Sequence, residues 1–583
     1  MTTDNCIEVS FEAANKVGGI YQVLKSKAKT MKNFYGEGYW TVGFYDEEEA
    51  SENFAPRDPP KEVKRLKKNL AEEGIEVRYG AWRINGSPKT LLIDASEMEA
   101  TADDIKEKLW EEKKIDSMNA GHDFDEPIKW SYAAGRAVNE LEKMLEGETV
   151  AHLHEWLSAP AMFEFDCSSV FTTHATVLGR ALSNSDFNLQ EAVEEGNVDD
   201  SLAEEHGAKA KHQLEKAAAE EADVFTTVSK ITAKEAEAVL DQEVDVVLPN
   251  GFNVEEFPSL EELSYQHKKK KERMKEFLRA YFEPYYNVNL EEDPRIIYIS
   301  GRYEFHNKGV DLFIDALSEV NKKEGEEIFV FFFIPSGVEG PSEEVLENVS
   351  LYRELEDYID SSMPEMRSEL LNALTSGRDP RESLEELIER TSLEVDALQR
   401  TFHTRSSESP PLCAFDLDYP DDQIIQRLHS RGLKNREEDR VKVVFYPTYL
   451  SRGDRLLSMD YQEAIKATSA GVFPSYYEPW GYTPVETAAN GALSITTDMA
   501  GFGQFLKENT NEEDRKGIRV LDRKDVPESE AASNLADMLQ EISEYSRTEI
   551  TERKHNARKL AQLTSWTKLG ENYREAHEKA VKK

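Results

Sequence analysis

The sequence predicts an α/β protein built from two doubly wound parallel sheets with a ligand-binding cleft between them. Three observations support this prediction. Short apolar strands alternate with helical segments in two separate series. The 583 residues are too many for one hydrophobic core, and 39% hydrophobic residues can form two large ones. A charged helical segment, HKKKKERMKEFLRAYF, separates the two series.

The first predicted series begins with the strand IEVSF. It is followed by EAANKVGGIYQVLKSKAKTM, in which a glycine pair stands between the strand and a helical stretch. Its further strands are YWTVGFY (39–45), KTLLIDA (89–95), TVAHLH (149–154), SSVFTTH (168–174), ADVFTTVS (222–229) and VDVVLPN (244–250). The second series is RIIYISG (295–301), EEIFVFFFIP (326–335), VKVVFYP (441–447), AGVFPS (470–475) and ALSITTD (492–498). Because such sheets bind ligands at the carboxyl ends of their strands, polar residues after these strands are candidates for a site.

We predict an N-terminal domain over residues 1–265, a C-terminal domain over 266–555 and a final helix over 556–583 that packs back on the N-terminal domain. Residues 340–400 interrupt the alternation, because their apolar positions recur at three-and-four spacing, which is typical of amphipathic helices. Two interpretations are open. These helices pack on their own domain, or they form a protrusion that pairs subunits.

The net charge of −43 argues against a nucleic-acid partner, because phosphates would be repelled over most of the surface. The acidic residues are spread along the chain, so a salt-rich host is one hypothesis for them. Since the sequence has no long apolar run and no leader pattern at its start, we expect no membrane partner and a cytoplasmic location. The widely spaced Cys6, Cys167 and Cys413 predict free thiols and no zinc site.

Several polar groups follow predicted strands. Gly18 and Gly19 permit close approach to an anion at a helix start, with Lys16 beside them, although a tight turn alone would also need glycine. Arg302 and Lys308 follow the strand RIIYIS and suit a leaving diphosphate, the alternative being a solvated loop.

Histidines also fall at predicted strand ends. His152 and His154 could ligate a metal, but no third ligand stands at a convincing spacing, and a structural role is the better interpretation for His152. His174 and Arg180 lie in a glycine-containing turn, FTTHATVLGR, where a sugar hydroxyl or a phosphate could bind.

The stretch SYYEPWGYTPVETA contains two glutamates on either side of a predicted helix start. Glu486 has a structural explanation, since Thr483, Pro484 and Glu486 read as a capping box with proline at the first helical position. That explanation does not account for Glu478. It also leaves the amides of residues 481–483 directed toward the cleft.

These segments together resemble the eukaryotic-type glycogen synthases, the glycosyltransferase family 3 enzymes that use UDP-glucose. The resemblance extends in order from about residue 7 to residue 570. It is carried by FEAANKVGGIYQVLKSKA, AHLHEWL, FTTHATVLGR, ADVFTTVS, LPNGFNV, GRYEFHNKG and VFPSYYEPWGYTPVETAANGALSITTDMAGFG.

The resemblance implies a GT-B fold, in which two Rossmann-like domains form the active site between them and the C-terminal domain carries a helical insertion. It implies retaining transfer of glucose from UDP-glucose to the non-reducing-end 4-hydroxyl of a growing α-1,4-glucan. No metal or other cofactor is implied. The implied partners are UDP-glucose and glycogen or another α-1,4-glucan, and the insertion suggests a homo-oligomer, with a tetramer as the first hypothesis.

Residue by residue, the resemblance implies catalytic roles for Glu478, Arg302, Lys308 and His174. Arg302 and Lys308 would neutralise the departing diphosphate, and Glu478 would lie near the transferred glucose. The residues that the resemblance implies in substrate binding are Lys16, Gly18, Gly19, His154, Arg180, Tyr461, Trp480, Gly481, Tyr482, Thr483 and Glu486.

Within the binding set, Glu486 would hold the ribose hydroxyls, and Tyr461 of the MDYQEA segment would stack on uracil. Lys16 and the glycine pair would close over the donor from the other domain, and His154 would lie near the sugar. Because no carboxylate is an obvious nucleophile, we favour same-face attack assisted by the leaving phosphate.

The sequence departs from the family near its end. Regulated members carry an arginine cluster that senses glucose-6-phosphate, whereas the matching stretch here is SRTEITERKHNARKLAQLTSW. Its basic residues are interrupted by threonine and by Glu549 and Glu552, so we predict weak or absent activation by glucose-6-phosphate.

Two alternatives to this function remain open. The first is a GT-B transferase that uses ADP-glucose or another nucleotide sugar, or elongates a different acceptor. The second is a non-catalytic glucan-binding scaffold. A phosphorylase is disfavoured, because the diphosphate-type features ask for neither pyridoxal phosphate nor an inorganic phosphate site.

Overall fold

The computed structural model describes residues 3–583 apart from 186, 197, 291–292, 383–384, 386–396, 398 and 404–407. Its described residues form two separate large sheets, one for each predicted series of strands. Each sheet is flanked by helices, which confirms the predicted fold of two doubly wound α/β units.

The N-terminal sheet has nine strands in the order β3-β4-β5-β2-β1-β6-β7-β8-β9. All neighbours pair in parallel except β3 with β4 and β4 with β5. The strand bounds are β1 Asn5–Val9, β2 Tyr39–Phe44, β3 Phe54–Pro56, β4 Glu76–Trp82, β5 Lys89–Asp94, β6 Thr149–His154, β7 Ser168–Thr173, β8 Val224–Thr227 and β9 Val246–Val247.

The C-terminal sheet has six parallel strands in the order β14-β11-β10-β15-β16-β17, and β12 pairs separately with β13. Numbered along the chain, this order is the 3-2-1-4-5-6 arrangement of a Rossmann sheet, whose switch point lies between β10 and β15. The bounds are β10 Arg295–Ser300, β11 Ile328–Phe333, β12 Val338–Pro341, β13 Phe415–Leu417, β14 Val441–Phe445, β15 Ala470–Val472, β16 Leu493–Thr497 and β17 Ile518–Leu521.

Helices connect the strands and cover both sheets. In the N-terminal half, defined here as the nine-stranded sheet with α1–α10, they are α1 Gly19–Tyr35, α2 Glu47–Asn53, α3 Lys61–Ala71, α4 Ala102–Lys113, α5 His122–Glu142, α6 Val177–Ser183, α7 Leu189–Glu195, α8 Ser201–Glu205, α9 Lys209–Glu221 and α10 Lys230–Leu240. In the C-terminal half, the six-stranded sheet with α11–α19, they are α11 Leu260–Phe282, α12 Val310–Val320, α13 Glu343–Ser376, α14 Gln423–Ser430, α15 Tyr461–Ala467, α16 Tyr482–Ala489, α17 Gly501–Asn509, α18 Glu528–Glu544 and α19 Arg547–Ala561. The last helix is α20 Trp566–Lys582.

The parallel strands lie where their apolar runs predict. The strand β11 reads IFVFFF and is buried along its whole length, as expected for a strand covered on both faces. Four short strands and the longer β4 escape the sequence prediction. In β4, Glu76 is exposed and Arg78 is half-buried, so its pattern lacks the continuous apolar run of the parallel strands.

The chain crosses back to the N-terminal half at its end. Helix α20 packs on α1 and on β6 to β9, and the indole of Trp566 donates a hydrogen bond to Ser26 at 2.8 Å. A buried cluster also joins Val228 and Phe252 of the N-terminal half to Trp480 and Phe502 of the C-terminal half. The two halves therefore share packed surfaces close to the predicted cleft.

The helical insertion begins with α13, a helix of 34 residues that packs against α11. The second predicted amphipathic helix, ESLEELIERTSLEVDALQR (382–400), falls largely outside the described residues. Among the described helices, none is both long enough and apolar enough to cross a membrane. The three cysteines are unpaired, as predicted.

Candidate active site

The turn that carries Glu478 follows β15 at the switch point of the C-terminal sheet. The main-chain carbonyl of Glu478 accepts a hydrogen bond from the Gly501 amide at 3.0 Å, which ties the turn to the start of α17. Gly481 ends the turn with φ of 102°, a conformation that favours glycine, and a Cβ there would lie 3.2 Å from Cγ of Glu478. The turn is therefore held in one conformation beside the strand ends.

Glu478 and Lys308 form an ion pair beside the carboxyl ends of β10 and β15. The Lys308 ammonium lies 2.5 Å from Oε2 of Glu478, and both side chains are less than one-fifth exposed. Lys308 reaches this position because its stem lies over Gly301, at the end of β10. The structure thus brings together two of the predicted catalytic residues.

Arg302 lies in the same turn but has a different partner. Its guanidinium is 2.8 Å from Oε1 of Glu304, and its side chain is 67% exposed. The described structure does not bring Arg302 into contact with Glu478. It remains close in the chain to Lys308 and can reorient without disturbing a packed core.

The start of α16 differs from the sequence interpretation. The capping residue is Gly481, so Pro484 is the third helical residue, and within the described chain no side chain caps this helix. The capping box proposed for Thr483 and Glu486 is therefore wrong. The first amides of α16 have no acceptor within the helix and remain suited to an anion.

Glu486 instead accepts a hydrogen bond from the side-chain amide of Gln462. Burial raises the pKa of Glu486 to about 7, and the bond from Gln462 opposes part of this rise. Tyr461 lies nearby at the start of α15, and its hydroxyl is 2.8 Å from the hydroxyl of Ser300. Glu486 and Tyr461, to which the resemblance assigns the ribose and the uracil, therefore lie near the end of β10.

Two predicted binding residues contribute packing through their side chains. Trp480 is 4% exposed and packs against Phe502 and Phe505, so its ring supports the turn. The Tyr482 hydroxyl donates to the Gly251 carbonyl of the N-terminal half at 3.3 Å. Only their main-chain groups lie at the helix start that the resemblance assigns to the donor.

The glycine loop of the N-terminal half already holds an internal carboxylate. Oε2 of Glu12 accepts hydrogen bonds from the amides of Gly18 at 2.9 Å and Tyr21 at 2.7 Å, at the start of α1. A Cβ on Gly18 would come within 2.7 Å of this carboxylate, whereas Gly19 has no such close neighbour among the described atoms. The anion site predicted here is therefore occupied in part by Glu12, and Lys16 beside it is exposed.

A buried polar network lies beneath this side of the cleft. His154 is 1% exposed, and its Nδ1 is 3.1 Å from Nε2 of His174. Burial and the positive charge of Lys27 lower the pKa of His174 to about 3, so its imidazole is neutral at pH 7. His152 bonds to His577 of α20 at 2.9 Å and to Thr172 at 2.7 Å, in agreement with the structural role predicted for it.

Glu8 supplies the third potential metal ligand that the sequence did not reveal. Among the described residues, Glu8, His152 and His154 place ligand atoms within 4.8 Å of one another. The ammonium of Lys27 lies 2.6 Å from Oε1 of Glu8, and both side chains are fully buried. This ammonium occupies the position beside the carboxylate that a cation would take.

The loop of His174 is fixed by Glu155. Its Oε1 accepts hydrogen bonds from the amides of His174 at 3.0 Å and Ala175 at 3.3 Å. The guanidinium of Arg180 lies 3.9 Å from the same oxygen, and this side chain is half exposed toward solvent. Glu155 has a positive φ of 66°, a strained conformation that nothing in its sequence neighbourhood predicts.

Asn307 is a further residue that sequence reasoning missed. Its amide donates to Ser183 at 3.2 Å and Asn184 at 2.9 Å in the N-terminal half. Its main-chain carbonyl accepts hydrogen bonds from the main-chain amides of Tyr476 at 2.9 Å and Tyr477 at 3.2 Å. Its place in GRYEFHNKG, directly before Lys308, is the only sequence signal.

Two Rossmann-type halves in contact, with a cation–carboxylate pair at a strand end beside that contact, are the arrangement of a GT-B glycosyltransferase. The catalytic domain of starch synthase IV from Arabidopsis thaliana has the same fold, with a TM-score of 0.51 and 12% identity over 100% of both chains. This likeness supports the fold alone.

The family follows from the sequence. The glycogen synthase family model matches residues 8–583. Liver glycogen [starch] synthase from Rattus norvegicus is 32% identical over 98% of this chain and 82% of its own length. Glycogen [starch] synthase from Neurospora crassa is 33% identical over 99% of this chain and 83% of its own. The chain therefore belongs to the glycogen synthase family and is a glycosyltransferase of glycogen synthesis.

Proposed function

We propose that the protein transfers glucose from UDP-glucose to the non-reducing-end 4-hydroxyl of an α-1,4-glucan, with retention of configuration. The observation that carries this proposal is the Lys308–Glu478 pair beside the uncapped start of α16. A cation and free helix amides suit a diphosphate, and a carboxylate next to them suits a sugar hydroxyl. The family to which the chain belongs supports the same reaction.

The donor is proposed to lie along the ends of β10 and β15. Its diphosphate meets Lys308 and the amides of Gly481 to Thr483, with Arg302 moving in from solvent. Its ribose meets Glu486 and its uracil meets Tyr461, which lie together at the end of β10.

The N-terminal half is proposed to complete the site from the opposite side. Arg180 and the His174 loop face the sugar, and Lys16 with the glycine loop closes over the donor. Because His154 is buried against His174, its side chain acts on the sugar through His174 or its main chain contacts the sugar directly. His174 is neutral, so it contributes a hydrogen bond rather than a charge.

In the proposed reaction, the bond between C1 of glucose and the β-phosphate oxygen breaks as the acceptor 4-hydroxyl bonds to C1 from the same face. The proton of that hydroxyl passes to the departing phosphate oxygen. Lys308 exchanges Glu478 for the phosphate and stabilises the developing negative charge. Glu478, released from the pair, accepts a hydrogen bond from the transferred glucose.

Assembly is proposed to involve α13. Four of its apolar side chains are more than half exposed and recur on one stripe of the helix, and they are Ile359, Met363, Leu371 and Leu374. We expect a homo-oligomer, with a tetramer as the first hypothesis, in the cytoplasm. Light scattering should give a multiple of the 66.5 kDa chain that falls when Leu371 and Leu374 are both changed to Glu.

A donor comparison tests the proposed reaction. The protein is incubated with glycogen and either UDP-glucose or ADP-glucose, at low and at high salt, and nucleotide release is measured. We expect UDP release well above ADP release. If nucleotide is released only from ADP-glucose, the donor is ADP-glucose and not UDP-glucose. If no nucleotide is released from either sugar at either salt concentration, the result favours the non-catalytic scaffold.

A further inference from the structure

Glu235 joins the two halves of the protein beside the cleft. It lies on α10, and it is 4% exposed. Its Oε1 accepts hydrogen bonds from the amide and the hydroxyl of Thr176, at 3.1 and 2.7 Å, and from the Tyr477 hydroxyl at 3.1 Å. Thr176 belongs to the N-terminal half and Tyr477 to the C-terminal half, and these three residues are called the Glu235 clasp.

The Thr176 side of the clasp controls the loop of the proposed sugar site. Thr176 follows His174 by two residues and caps α6, which carries Arg180. Its hydroxyl accepts a hydrogen bond from the Gly179 amide at 2.9 Å. Because the hydroxyl gives its single proton to Glu235, its lone pairs are directed to that amide, and the carboxylate fixes how the helix begins.

The Tyr477 side controls the turn of the proposed catalytic carboxylate. Tyr477 directly precedes Glu478, and its ring packs against the core of the N-terminal half. Burial and the neighbouring Glu235 raise the pKa of Tyr477 well above its ordinary value, so the phenol is protonated and donates at neutral pH. A displacement of this hydroxyl therefore displaces the neighbouring Glu478.

The space beside the Glu235 carboxylate is filled on the side of α6. A Cβ on Gly179 would collide with the carboxylate of Glu235, so the glycine of TVLGR lets Glu235 lie between the two loops. Helix α10 is itself an interface helix, since Lys230 pairs with Glu508 of α17 at 2.9 Å. The clasp is thus part of a continuous contact between the halves.

We propose that Glu235 is a positioning residue for glucose transfer, whose one carboxylate sets the His174–Arg180 loop and the Glu478 turn in register across the cleft. The inference rests on the proposed function, because these loops carry the groups assigned to the transfer. Glu235 touches no substrate in this scheme. It acts through Thr176 and Tyr477.

The test uses Glu235→Gln and Tyr477→Phe, singly and together, in the full-length protein. Glu235→Gln replaces the carboxylate that all three hydrogen bonds share with a weaker, neutral acceptor, and Tyr477→Phe removes the hydroxyl at one end, each with little change in shape. We expect kcat to fall about tenfold, since a misplacement of about 1 Å in a reacting group can cost up to about 100-fold. The Kd for UDP, measured by calorimetry, should change less than kcat, because the proposed ribose and uracil contacts, Glu486 and Tyr461, lie near the end of β10 and outside the clasp. The double variant should be no worse than either single variant.

Glu215 provides a matched control. It is a buried carboxylate of α9 that accepts hydrogen bonds from the same loop, from the Thr173 hydroxyl and the Val177 amide, both in the N-terminal half. The effects of Glu215→Gln and Tyr477→Phe on kcat should multiply. Wild-type kcat in Tyr477→Phe, or effects of Glu235→Gln and Tyr477→Phe that multiply, would overturn the clasp. If Glu235→Gln does not fold, Tyr477→Phe alone decides.

Hydrogen–deuterium exchange separates failure of the clasp from failure of the proposed function. In both Glu235→Gln and Tyr477→Phe, amides of 173–180 and of 476–481 should exchange faster, whereas Glu215→Gln should affect only 173–180. Unchanged exchange at the loop opposite the substitution would refute the clasp whatever the activity. A wild-type protein that releases no UDP from UDP-glucose refutes the proposed function and leaves this exchange result to decide the clasp.

Discussion

Buried carboxylates set the conformation of the loops that face the cleft. Glu12, Glu155, Glu215 and Glu235 each accept at least one main-chain amide proton from these loops. Burial raises the pKa of all four carboxyls, and that of Glu215 reaches about 8. Their amide partners lie 6 to 59 positions away in the chain, so no local motif predicts the pairs.

The first prediction concerns the paired residues and their neighbour. Glu478→Ala, Lys308→Ala and Arg302→Ala should each lose transfer while remaining folded, with Lys308→Ala lowering kcat by about 100-fold or more, as for one lost charge-stabilising group. Initial rates with UDP-glucose and circular dichroism measure both points. Tyr449→Phe, at an exposed residue, is the control. Wild-type turnover in any of the three would contradict its assignment.

The second prediction follows from Glu486. With a pKa of about 7, its carboxyl is ionised above that pH and protonated below it, so it accepts ribose hydroxyls best in alkaline solution. The KM for UDP-glucose should rise about tenfold as pH falls from about 8 to about 6, following the ionised fraction. Steady-state kinetics across this range measure it. In Glu486→Gln the KM should be high and flat, and a flat profile in the wild type would rule out the ribose contact.

Among the helices, α16 was predicted close to where it begins, but the sequence pattern suggested the wrong cap for it. The pattern T-P-x-E matched a capping box, yet the helix begins at Tyr482, one residue before Thr483, because Gly481 adopts a positive φ there. The same sequence is also compatible with a glycine of positive φ as the capping residue and a proline at the third helical position. The presence of the helix could be predicted from the sequence, but the absence of a side-chain cap became evident only from the backbone conformation at Gly481.

The third prediction concerns α19, which borders a cavity of about 1090 Å³. Arg558 donates to the Ala489 and Phe257 carbonyls, and the guanidinium of Arg553 stacks on Tyr545. Burial and the nearby Lys271 lower the pKa of Lys554 to about 7, so part of its charge is lost at neutral pH.

Arg553 and Arg558 are therefore held by contacts within the protein and Lys554 carries only part of its charge, so these three residues are poorly disposed to hold a phosphate. Glucose-6-phosphate should raise the rate less than twofold at low UDP-glucose, as the acidic interruptions in the sequence also indicate. Rates at increasing glucose-6-phosphate concentration measure this. A several-fold rise would contradict it.

For the whole molecule, the fold was more predictable than the site. Parallel strands such as β11 are continuous apolar runs, so five of the six strands of the C-terminal sheet were predicted and the short β17 was missed. The antiparallel strand β4, next to the edge strand β3, carries Glu76 and Arg78 and was missed, because a partly exposed strand lacks a continuous apolar run. The family motifs singled out Glu478 and Lys308 as candidates but gave no reason to choose Glu235 or Asn307, whose contacts depend on how the halves meet.

The fourth prediction concerns the charge of −43, which is spread over a surface of 26200 Å². Self-repulsion of this charge destabilises the folded state at low ionic strength, and salt screens it. If the acidic surface is an adaptation to salt, the Tm should rise by several degrees between low and about molar salt. Calorimetry in potassium chloride measures it, and an unchanged or lower Tm would remove the hypothesis.

Linkage analysis of the product tests the central claim most directly. The protein is given UDP-glucose labelled with ¹³C at C1 and a short α-1,4-glucan, and the anomeric signal is followed by NMR while UDP is measured. We predict one α-1,4-linked glucose at the non-reducing end for each UDP released. A β-anomer, another linkage, or free glucose released in place of chain growth would contradict the account.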